Sequence, residues 1–468
     1  MDIPGYISLV GEKRYAEALR LHRERNPFAA VCSRVCFHTC EDKCRRATLD
    51  APVSIRGIKR FMVDQEVTIQ LPEVRENEFN AKQKIAIVGA GPAGLSCAYF
   101  LARLGYRPKI FESEPRPGGM LVQAIPAYRL PREIVAREVR MIERMGVEIY
   151  TNTTLGKEVT LKSLRAEGYD SVFLGVGAPL GLGLGLPGAD AEGITDALNF
   201  LRTYNIRGSV PVGNDVVVIG GGNSAIDAAR TALRLGAEKV TVVYRRSRDA
   251  MPAYEEEIEE AEHEGVVLRL LTAPIEVVYE EKRATGLKCT PMRLGEFDRS
   301  GRRRPEEGGD AFVIPADQIL VAIGQTLDLQ QITKDVHLEV RNQAFVQIDP
   351  VTCQTSEKWI FAGGDAVTGA SSVVEAVAAG ERAAAGIDQY LTGENHAFWR
   401  KDREVDTFFD PEAEPSESPR EKLNLIPVER RRGNFDVVEQ PWREAVAVCQ
   451  AQRCLRCDYG KRCAETSG

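Results

Sequence analysis

The segment KIAIVGAGPAGLSCAYFLARLGYRPKIFESE (84–114) contains the pattern that decides the fold expected for this chain. It reads as a short apolar strand, a glycine-rich turn, a helix, and a second strand that ends at Glu112. Gly89 suits a tight turn, Gly91 lets a pyrophosphate approach the backbone at the helix N-terminus, and Gly94 permits close helix–strand packing. Glu112 stands where a carboxylate would accept a hydrogen bond from a ribose hydroxyl. The segment therefore predicts a βαβ unit that binds a dinucleotide.

A second copy of the pattern occupies residues 215–253, DVVVIGGGNSAIDAARTALRLGAEKVTVVYRRSRDAMPA. Gly220, Gly222 and Ala225 stand at its turn, and Asn223 is expected to contact the nucleotide beside the two glycines. No acid follows the second strand. Arg245 and Arg246 stand there instead, and guanidinium groups accommodate a 2′-phosphate. This copy is expected to prefer NADPH to NADH. The alternative is that both arginines are surface charges on an NADH site.

Two dinucleotide sites in one chain indicate a flavin and a nicotinamide that exchange a hydride. A third motif, KWIFAGGDAVTGASSVVEAVAAGERAAAGI (358–387), supports the flavin. Asp365 is expected to accept a hydrogen bond from a ribityl hydroxyl, and the helix that begins near Ser372 would direct its positive end at the flavin ring. The alternative is an ordinary Gly-Gly-Asp turn.

The segment CSRVCFHTCEDKC (32–44) spaces four thiols evenly. In one continuous helix its first and last sulfurs would lie about 18 Å apart, so a shared centre requires the segment to bend. Thiolates suit iron–sulfur clusters and zinc, and buried packing without a ligand is the third reading. The expected ligands are Cys32, Cys36, Cys40 and Cys44.

Four more cysteines lie near the C-terminus in CQAQRCLRCDYGKRC (449–463). A C-x2-C core serves zinc, redox dithiols and iron–sulfur clusters alike. The expected ligands in this group are Cys449, Cys454, Cys457 and Cys463.

The composition excludes several classes of protein. The 468 residues suggest two or three domains, and the formal net charge of −7 argues against a nucleic-acid-binding protein. The start of the chain lacks the features of a secretory signal, and no uninterrupted apolar run is long enough for a transmembrane segment. A cytoplasmic protein is expected, in which Cys97, Cys289 and Cys353 are buried packing residues.

These motifs together resemble the family of the glutamate synthase small subunit, which includes the flavin-bearing N-terminal half of dihydropyrimidine dehydrogenase and the NADPH-linked subunit of electron-bifurcating transhydrogenase. The similar segments extend over most of the chain: PVSIRGIKRF, GAGPAGL, PGGML, AIPAYRLPREI, GGGNSAIDAART, VYRRSRDAMPA, ADQILVAIGQ and FAGGDAV.

The resemblance implies an α/β fold of thioredoxin-reductase-like topology. Two Rossmann-like domains are expected, with the NADPH domain inserted in the FAD domain, together with an N-terminal helical iron–sulfur domain. The expected domains are residues 1–80 (iron–sulfur), 81–206 with 341–400 (FAD), 207–340 (NADPH) and 401–468 (a linker and the C-terminal cysteines).

The resemblance also implies the cofactors FAD and NADPH and [4Fe-4S] clusters, of which one is expected and a second is possible. FAD contacts are expected from Gly119 as well as the residues above, and no side chain need act as an acid or base, because hydride transfer depends on ring positioning. Members typically begin with a further cysteine stretch that this chain lacks. Either the tail carries a second cluster of its own, folded away from the main body by the linker PEAEPSESPREK (411–422), or another polypeptide supplies the missing front.

The expected function is electron input: NADPH reduces FAD, and single electrons pass through the clusters to another redox subunit or ferredoxin in a hetero-oligomeric complex. The runner-up is the glutamate synthase small subunit itself, which feeds a separate large subunit. A flavin disulfide reductase would need a cysteine pair beside the flavin, and neither PRPGGMLVQA (115–124) nor residues 207–340 contain one. The remaining alternative is a non-enzymatic flavin- and zinc-binding module.

Overall fold

The computed structural model describes residues 1–297, 303–342, 344–401 and 405–458. Its α-helices, in chain order, are α1 Ile3–Gly11, α2 Tyr15–Arg23, α3 Ala29–Val35, α4 Thr39–Asp42, α5 Ile55–Asp64, α6 Glu78–Lys82, α7 Pro92–Arg103, α8 Met120–Gln123, α9 Arg132–Glu143, α10 Leu161–Ala166, α11 Ala197–Arg207, α12 Asn223–Arg234, α13 Glu255–Glu264, α14 Leu329–Thr333, α15 Asp365–Thr368, α16 Val373–Thr392 and α17 Glu444–Gln452. Short 3-10 helices occur at Arg45–Thr48, Arg248–Ala250, Phe398–Arg400 and Val428–Arg430.

The strands of the described residues, in chain order, are β1 Ile85–Val88, β2 Lys109–Phe111, β3 Glu148–Tyr150, β4 Ser171–Leu174, β5 Leu180–Gly181, β6 Ile194–Asp196, β7 Asp215–Ile219, β8 Lys239–Val243, β9 Val267–Arg269, β10 Thr272–Glu280, β11 Arg283–Phe297, β12 Arg303–Glu307, β13 Phe312–Pro315, β14 Gln318–Val321, β15 Gln325–Thr326, β16 Val340–Arg341, β17 Phe345–Val346, β18 Ile360–Ala362, β19 Asn424–Leu425 and β20 Glu439–Gln440.

The first glycine-rich segment lies at the centre of a parallel sheet with strand order β18-β4-β1-β2-β3. Strand β1 is buried throughout, which explains its unbroken apolar sequence, because a parallel sheet is covered on both faces. The turn after β1 leads into α7, and β2 pairs beside β1. The predicted βαβ unit is confirmed.

The second glycine-rich segment forms the same unit in another parallel sheet, with strand order β6-β14-β7-β8-β9. An antiparallel sheet of β10 to β13 lies in the chain between β9 and β14 of this parallel sheet. All five strands of the second parallel sheet precede β18, which returns to the edge of the first sheet. The inserted topology is therefore confirmed.

Helix α16 packs against α7, the helix that follows the first glycine turn. A Cβ atom on Gly380 would lie 2.8 Å from the amide nitrogen of Cys97 and closer still to the carbonyl oxygen of Ala93. Only glycine allows this backbone approach. The contact attaches the returning segment of the first domain to its dinucleotide turn.

The N-terminal helices α1, α2 and α5 share one hydrophobic core with the C-terminal helix α17. Trp442, Ala447 and Ala451 from the tail are buried in it beside Tyr6 and Phe61. The prediction that the linker lets the tail fold away from the main body is therefore wrong. The apolar side chains on both sides of the start of α17 can be removed from water only by packing on the N-terminal helices.

The cysteine segment is bent, as a shared centre requires. Helix α3 ends at Val35, directly before Cys36, and the separate helix α4 contains Cys40. His38 between them has a left-handed φ of 39°, which breaks the helix. Among the described residues, none of the helices is both long and apolar enough to cross a membrane.

A carboxylate of the first dinucleotide domain caps helix α3. Glu138 on α9 is fully buried and accepts hydrogen bonds from the amide nitrogens of Ala30 at 2.6 Å and Val31 at 3.1 Å. Burial raises the pKa of Glu138 to about 7, although these amides favour the carboxylate. The cap thus fixes the helix that leads to Cys36 against the first dinucleotide domain.

We expect Glu138→Ala to destabilise the protein by about 1–3 kcal/mol, because it leaves buried amide groups without an acceptor. Glu138→Gln retains an acceptor and should lose less. Thermal unfolding of the three proteins at pH 7 measures the difference, and equal melting temperatures for wild type and the Ala variant would contradict the cap.

Wild type and Glu138→Gln also test the raised pKa of the Glu138 carboxyl. Since the folded pKa of about 7 lies above the ordinary glutamate value of 4.5, the acid stabilises the fold most below pH 4.5 and loses this contribution as the pH rises through 7. The stability of wild type relative to Glu138→Gln should therefore fall over that range. A relative stability that rises with pH would show that the carboxylate is favoured instead.

Candidate functional site: a cavity between two dinucleotide folds and a cysteine loop

The first glycine turn leaves open space where a phosphate would lie. A Cβ atom on Gly91 would have no neighbour closer than 4.0 Å, the Cα atom of Gly119. Gly91 precedes the first residue of α7, so the free amide groups of that helix face the same space. Gly89, Gly91 and Gly119 line one wall of the cavity, and Gly94 lies within α7 behind them.

Glu112 directly follows β2 and lines the same wall. Its carboxylate accepts hydrogen bonds from the amide nitrogens of Ala90 at 2.6 Å and Glu114 at 2.9 Å. Burial raises the pKa of Glu112, while these amide bonds favour the charged form. The oxygen that accepts from Ala90 retains a lone pair, so the group can still accept from a ribose hydroxyl.

Asp365 and the N-terminus of α16 form the opposite wall of this part of the cavity. Burial raises the pKa of Asp365 to about 6. Helix α16 begins after Ser372, as expected, and the Ser372 hydroxyl accepts from the amide of Glu375 at 3.2 Å in a capping box. Because Ser372 and Glu375 both line the cavity, the positive end of this 20-residue helix faces it.

The second glycine turn lines the cavity from the other sheet. Gly220, Gly222 and Asn223 all contribute to its wall. The Asn223 side chain accepts a hydrogen bond from the amide of Tyr254 at 3.1 Å, which fastens the turn to the segment before α13.

The two arginines after β8 differ in a way that the sequence did not reveal. Both line the cavity, but Arg245 is exposed and Arg246 is buried. An exposed guanidinium at a cavity edge remains available to a ligand phosphate, whereas a buried one is committed to its surroundings. Of the pair, Arg245 is therefore the better candidate for recognising a 2′-phosphate.

An ionic network joins the two dinucleotide domains beside the cavity. Arg129 donates to both carboxylate oxygens of Asp227, at 2.9 and 2.8 Å, and its Nε lies 2.9 Å from Glu257. Arg129 and Asp227 both line the cavity. Sequence analysis missed this pair: Arg129 belongs to the recognised segment AIPAYRLPREI, but its partner lies 98 residues away.

The cysteine loop reaches the same cavity. Cys36 and Cys40 line it, together with Lys59 from α5. The second dinucleotide domain holds this loop, because the Tyr254 hydroxyl donates to the carbonyl oxygen of Phe37 at 3.0 Å. The same hydroxyl lies 2.7 Å from Nδ1 of His38.

Two cysteine turns, one near each end of the chain, share the same geometry. The amide of His38 donates to the Cys36 sulfur at 3.4 Å, and a backbone amide bond from Arg456 reaches Cys454 in the same way. His38 and Arg456 both have left-handed φ values, 39° and 46°. Amide donors aimed at sulfur stabilise thiolate ligands and tune iron–sulfur centres, so strained backbone at both turns suits a cluster.

The docked tail brings its thiols to the N-terminal group. Burial raises the pKa of the Cys454 thiol to about 11. Cys44 and Cys454 both pack against the core that the N-terminal helices share with α17. Cys32 is completely buried on α3, while Cys449 is exposed on α17. The predicted ligand Cys463 lies outside the described residues.

The thiol groups suit an iron–sulfur cluster by their chemistry. A four-iron cluster takes one thiolate per iron, and thiolates are the soft donors that iron and sulfide accept. The amide bond from His38 to the Cys36 sulfur agrees with such a site.

A single cavity of about 1670 Å³ connects these parts. Its volume exceeds the roughly 300–1,000 Å³ of a pocket for one ligand. Its walls come from both glycine turns, from the N-terminus of α16 and from the cysteine loop. Groups bound at the two glycine turns and at the cysteine loop would therefore face one shared space.

Comparison with known proteins identifies both parts of the chain. Residues 83–380 match the pyridine nucleotide-disulphide oxidoreductase family, and residues 1–71 match the 4Fe-4S cluster domain II of dihydropyrimidine dehydrogenase. The chain is therefore an NAD(P)H-dependent oxidoreductase with a flavin-type dinucleotide fold and a 4Fe-4S domain, and the prediction of that enzyme class is confirmed.

Curated relatives match nearly the whole chain. The beta subunit of NADP(+)-dependent formate dehydrogenase from Moorella thermoacetica is 41% identical over 98% of this chain and 69% of its own length. The beta subunit of NADPH-Fe(3+) oxidoreductase from Geobacter sulfurreducens is 37% identical over 98% of this chain and 73% of its own. The glutamate synthase [NADPH] small chain of Escherichia coli is 35% identical over 83% of this chain and 86% of its own.

Solved structures agree with the fold. FprA from Mycobacterium tuberculosis aligns with a TM-score of 0.57 at 21% identity, over 66% of this chain and 85% of its own. Thioredoxin reductase from T. acidophilum aligns with a TM-score of 0.50 at 19% identity, over 65% and 98% respectively. From the family matches and the curated relatives, the chain belongs to the glutamate synthase small chain-like family of flavin and 4Fe-4S oxidoreductases.

Proposed function

We propose that this chain is the NADPH-oxidising subunit of a larger complex, in which electrons enter at FAD and leave through [4Fe-4S] clusters to a partner redox subunit or ferredoxin. The observation that carries the proposal is the shared cavity, whose walls include both glycine turns and the thiols of Cys36 and Cys40. Bound FAD would take a hydride from NADPH and release its electrons one at a time.

The residues of the chain bind and orient the two nucleotides. For FAD we propose contacts from the first turn, the acid after β2 and the segment before α16: Gly89, Gly91, Gly94, Glu112, Gly119 and Asp365. For NADPH we propose contacts from the second turn and the arginines after β8: Gly220, Gly222, Asn223, Arg245 and Arg246. No side chain acts as an acid or base, so the chain contributes chiefly by holding the two rings in register.

The ionic network maintains that register. Arg129 ties the flavin-side segment before α9 to Asp227 on α12 and to Glu257 on α13. Each of these groups is largely buried, so a partner lost from the network would leave an uncompensated charge. This favours one arrangement of the two domains over a swivelling pair.

We propose that both ends of the chain supply the cluster ligands. The N-terminal group offers Cys32, Cys36, Cys40 and Cys44, and the tail offers Cys449, Cys454, Cys457 and Cys463. Cys44 and Cys454 pack against the same core, which supports a cluster shared between the two groups in place of an independent one in the tail. Cys457 is exposed, so a cluster there would lie near the surface where a partner could accept electrons.

The relatives support a partner subunit without naming its substrate. Two of them are named as beta subunits, of a formate dehydrogenase and of an NADPH-Fe(3+) oxidoreductase. We propose a cytoplasmic complex, because a reducing compartment keeps the thiols available. The alternative role as a glutamate synthase small chain rests on a match that covers less of this chain, 83%. Native purification followed by identification of the associated chains separates the two.

Cofactor preference tests the NADPH site. We expect Arg245→Ala to weaken NADPH binding by about 1.5–3 kcal/mol, or roughly ten- to a hundredfold, with little effect on NADH, because only NADPH has the 2′-phosphate. Anaerobic stopped-flow reduction of the flavin by each nucleotide measures the ratio.

Arg248→Ala is the matched control, since Arg248 pairs with Glu255 and Glu262 and does not line the cavity. Equal losses for both nucleotides in the Arg245 variant would indicate a shared phosphate contact, and a wild type that prefers NADH would overturn the assignment.

Iron content tests the cysteine loop. We expect Cys36→Ser to lose iron and to block electron transfer to an external acceptor, while NADPH still reduces the flavin, because the flavin contacts lie on other elements. Cys289→Ser, in the antiparallel sheet, is the control and should retain its iron. Unchanged iron per chain in the Cys36 variant would refute its role as a ligand.

Tail thiols require point variants, because deletion of α17 would also remove part of the N-terminal core. If Cys44 and Cys454 hold the same cluster, then Cys44→Ser, Cys454→Ser and the double variant should each lose the same amount of iron. Independent clusters would give additive losses. Zinc in place of iron in the purified wild type would support a structural site.

A further inference from the structure

We propose that Lys59 is the counter-cation of the cysteine-loop cluster and raises its reduction potential. The inference rests on the proposed electron-transfer function. It gives Lys59, which is not a cluster ligand, control over how readily the cluster accepts an electron.

Lys59 is a buried cation. It lies on α5, within the segment PVSIRGIKRF, and is 7% exposed. In the part of the chain that the structure describes, its ammonium group makes neither a hydrogen bond nor a salt bridge. Buried lysines are rare unless an anion neutralises them, because removing the charge from water is costly.

The other buried cations of this helix and its neighbour show the usual solution. Arg60, the next residue, pairs with Asp64 at 2.7 Å, and Arg34 on α3 pairs with the same carboxylate at 2.7 Å. Both are as buried as Lys59. The lack of a carboxylate partner is therefore specific to Lys59 and does not follow from the burial of α5.

Lys59 lies instead beside thiols. It lines the cavity together with Cys36, Cys40 and Tyr6. Its helix α5 also packs against α3, the helix that contains Cys32.

Cluster assembly would supply the anion. Cysteines bind iron as thiolates, so ligation turns neutral thiols into negative charge at the place that Lys59 faces. Each electron that the cluster accepts adds one more negative charge there. A fixed cation nearby favours the more negative, reduced state, and the buried setting weakens solvent screening. Lys59 should therefore make the cluster easier to reduce.

The test compares Lys59→Met with Lys59→Arg in the full chain, purified anaerobically. Iron per chain and the midpoint potential, from a redox titration followed by electron paramagnetic resonance, are measured for both. We expect the Met variant to lower the potential by at least 59 mV, a tenfold change in the one-electron equilibrium, and the Arg variant to lower it less.

Arg60→Met is the matched control, since it removes a buried cation from the same helix that does not line the cavity. It should leave the potential near that of wild type. Loss of iron in the Met variant with retention in the Arg variant would also support the proposal, because it ties cluster stability to the charge.

Two results would overturn the proposal. The first is a Met variant with full iron and an unchanged potential. The second is an equal loss of iron in the Met and Arg variants, which would indicate a role in packing. A wild-type protein without iron would refute the proposed electron path itself, and is distinguished from both by the iron analysis of the unaltered chain.

Discussion

The two dinucleotide-binding domains have separate hydrophobic cores, and polar contacts join them beside the cavity. Arg129 pairs with Asp227 and Glu257, and Arg202 on α11 pairs with Glu114. Hydrophobic burial fixes each sheet with its own helices, whereas directional, charge-assisted bonds between the domains favour one angle between them. Because hydride transfer between two rings would tolerate little displacement, the proposed chemistry depends on this junction.

The cysteine loop is held by both domains. Glu138 of the first dinucleotide domain caps α3, the helix that precedes Cys36, and Tyr254 of the second domain bonds to Phe37. The amide of Tyr254 in turn donates to Asn223 in the second glycine turn. A change in the second glycine turn could reach the cysteine loop through these contacts and through the contact of His38 with Glu256 beside them. The same contacts hold the loop against both domains.

Local sequence was sufficient for the glycine turns, the βαβ units and the start of α16 at Ser372, because each depends on neighbouring residues. The broken cysteine segment also followed from spacing, since one straight helix could not bring the four thiols together. Long-range contacts did not follow. The linker 411–422 has the composition of a free tether, yet Trp442 and α17 beyond it are buried on the N-terminal helices. The pairing of Arg129 and the different burial of Arg245 and Arg246 depend likewise on distant backbone.

The shared core of α1 and α17 imposes an order on biosynthesis. Tyr15 bonds to Glu444 across 429 residues of chain, so this core cannot be completed until the ribosome has passed Glu444. Contacts of such separation form late, after the two dinucleotide domains have folded around local pairings. Until then Trp442 and the apolar side chains of α17 remain exposed to solvent. The docking of α17 is therefore expected to be a late step in the folding of the chain.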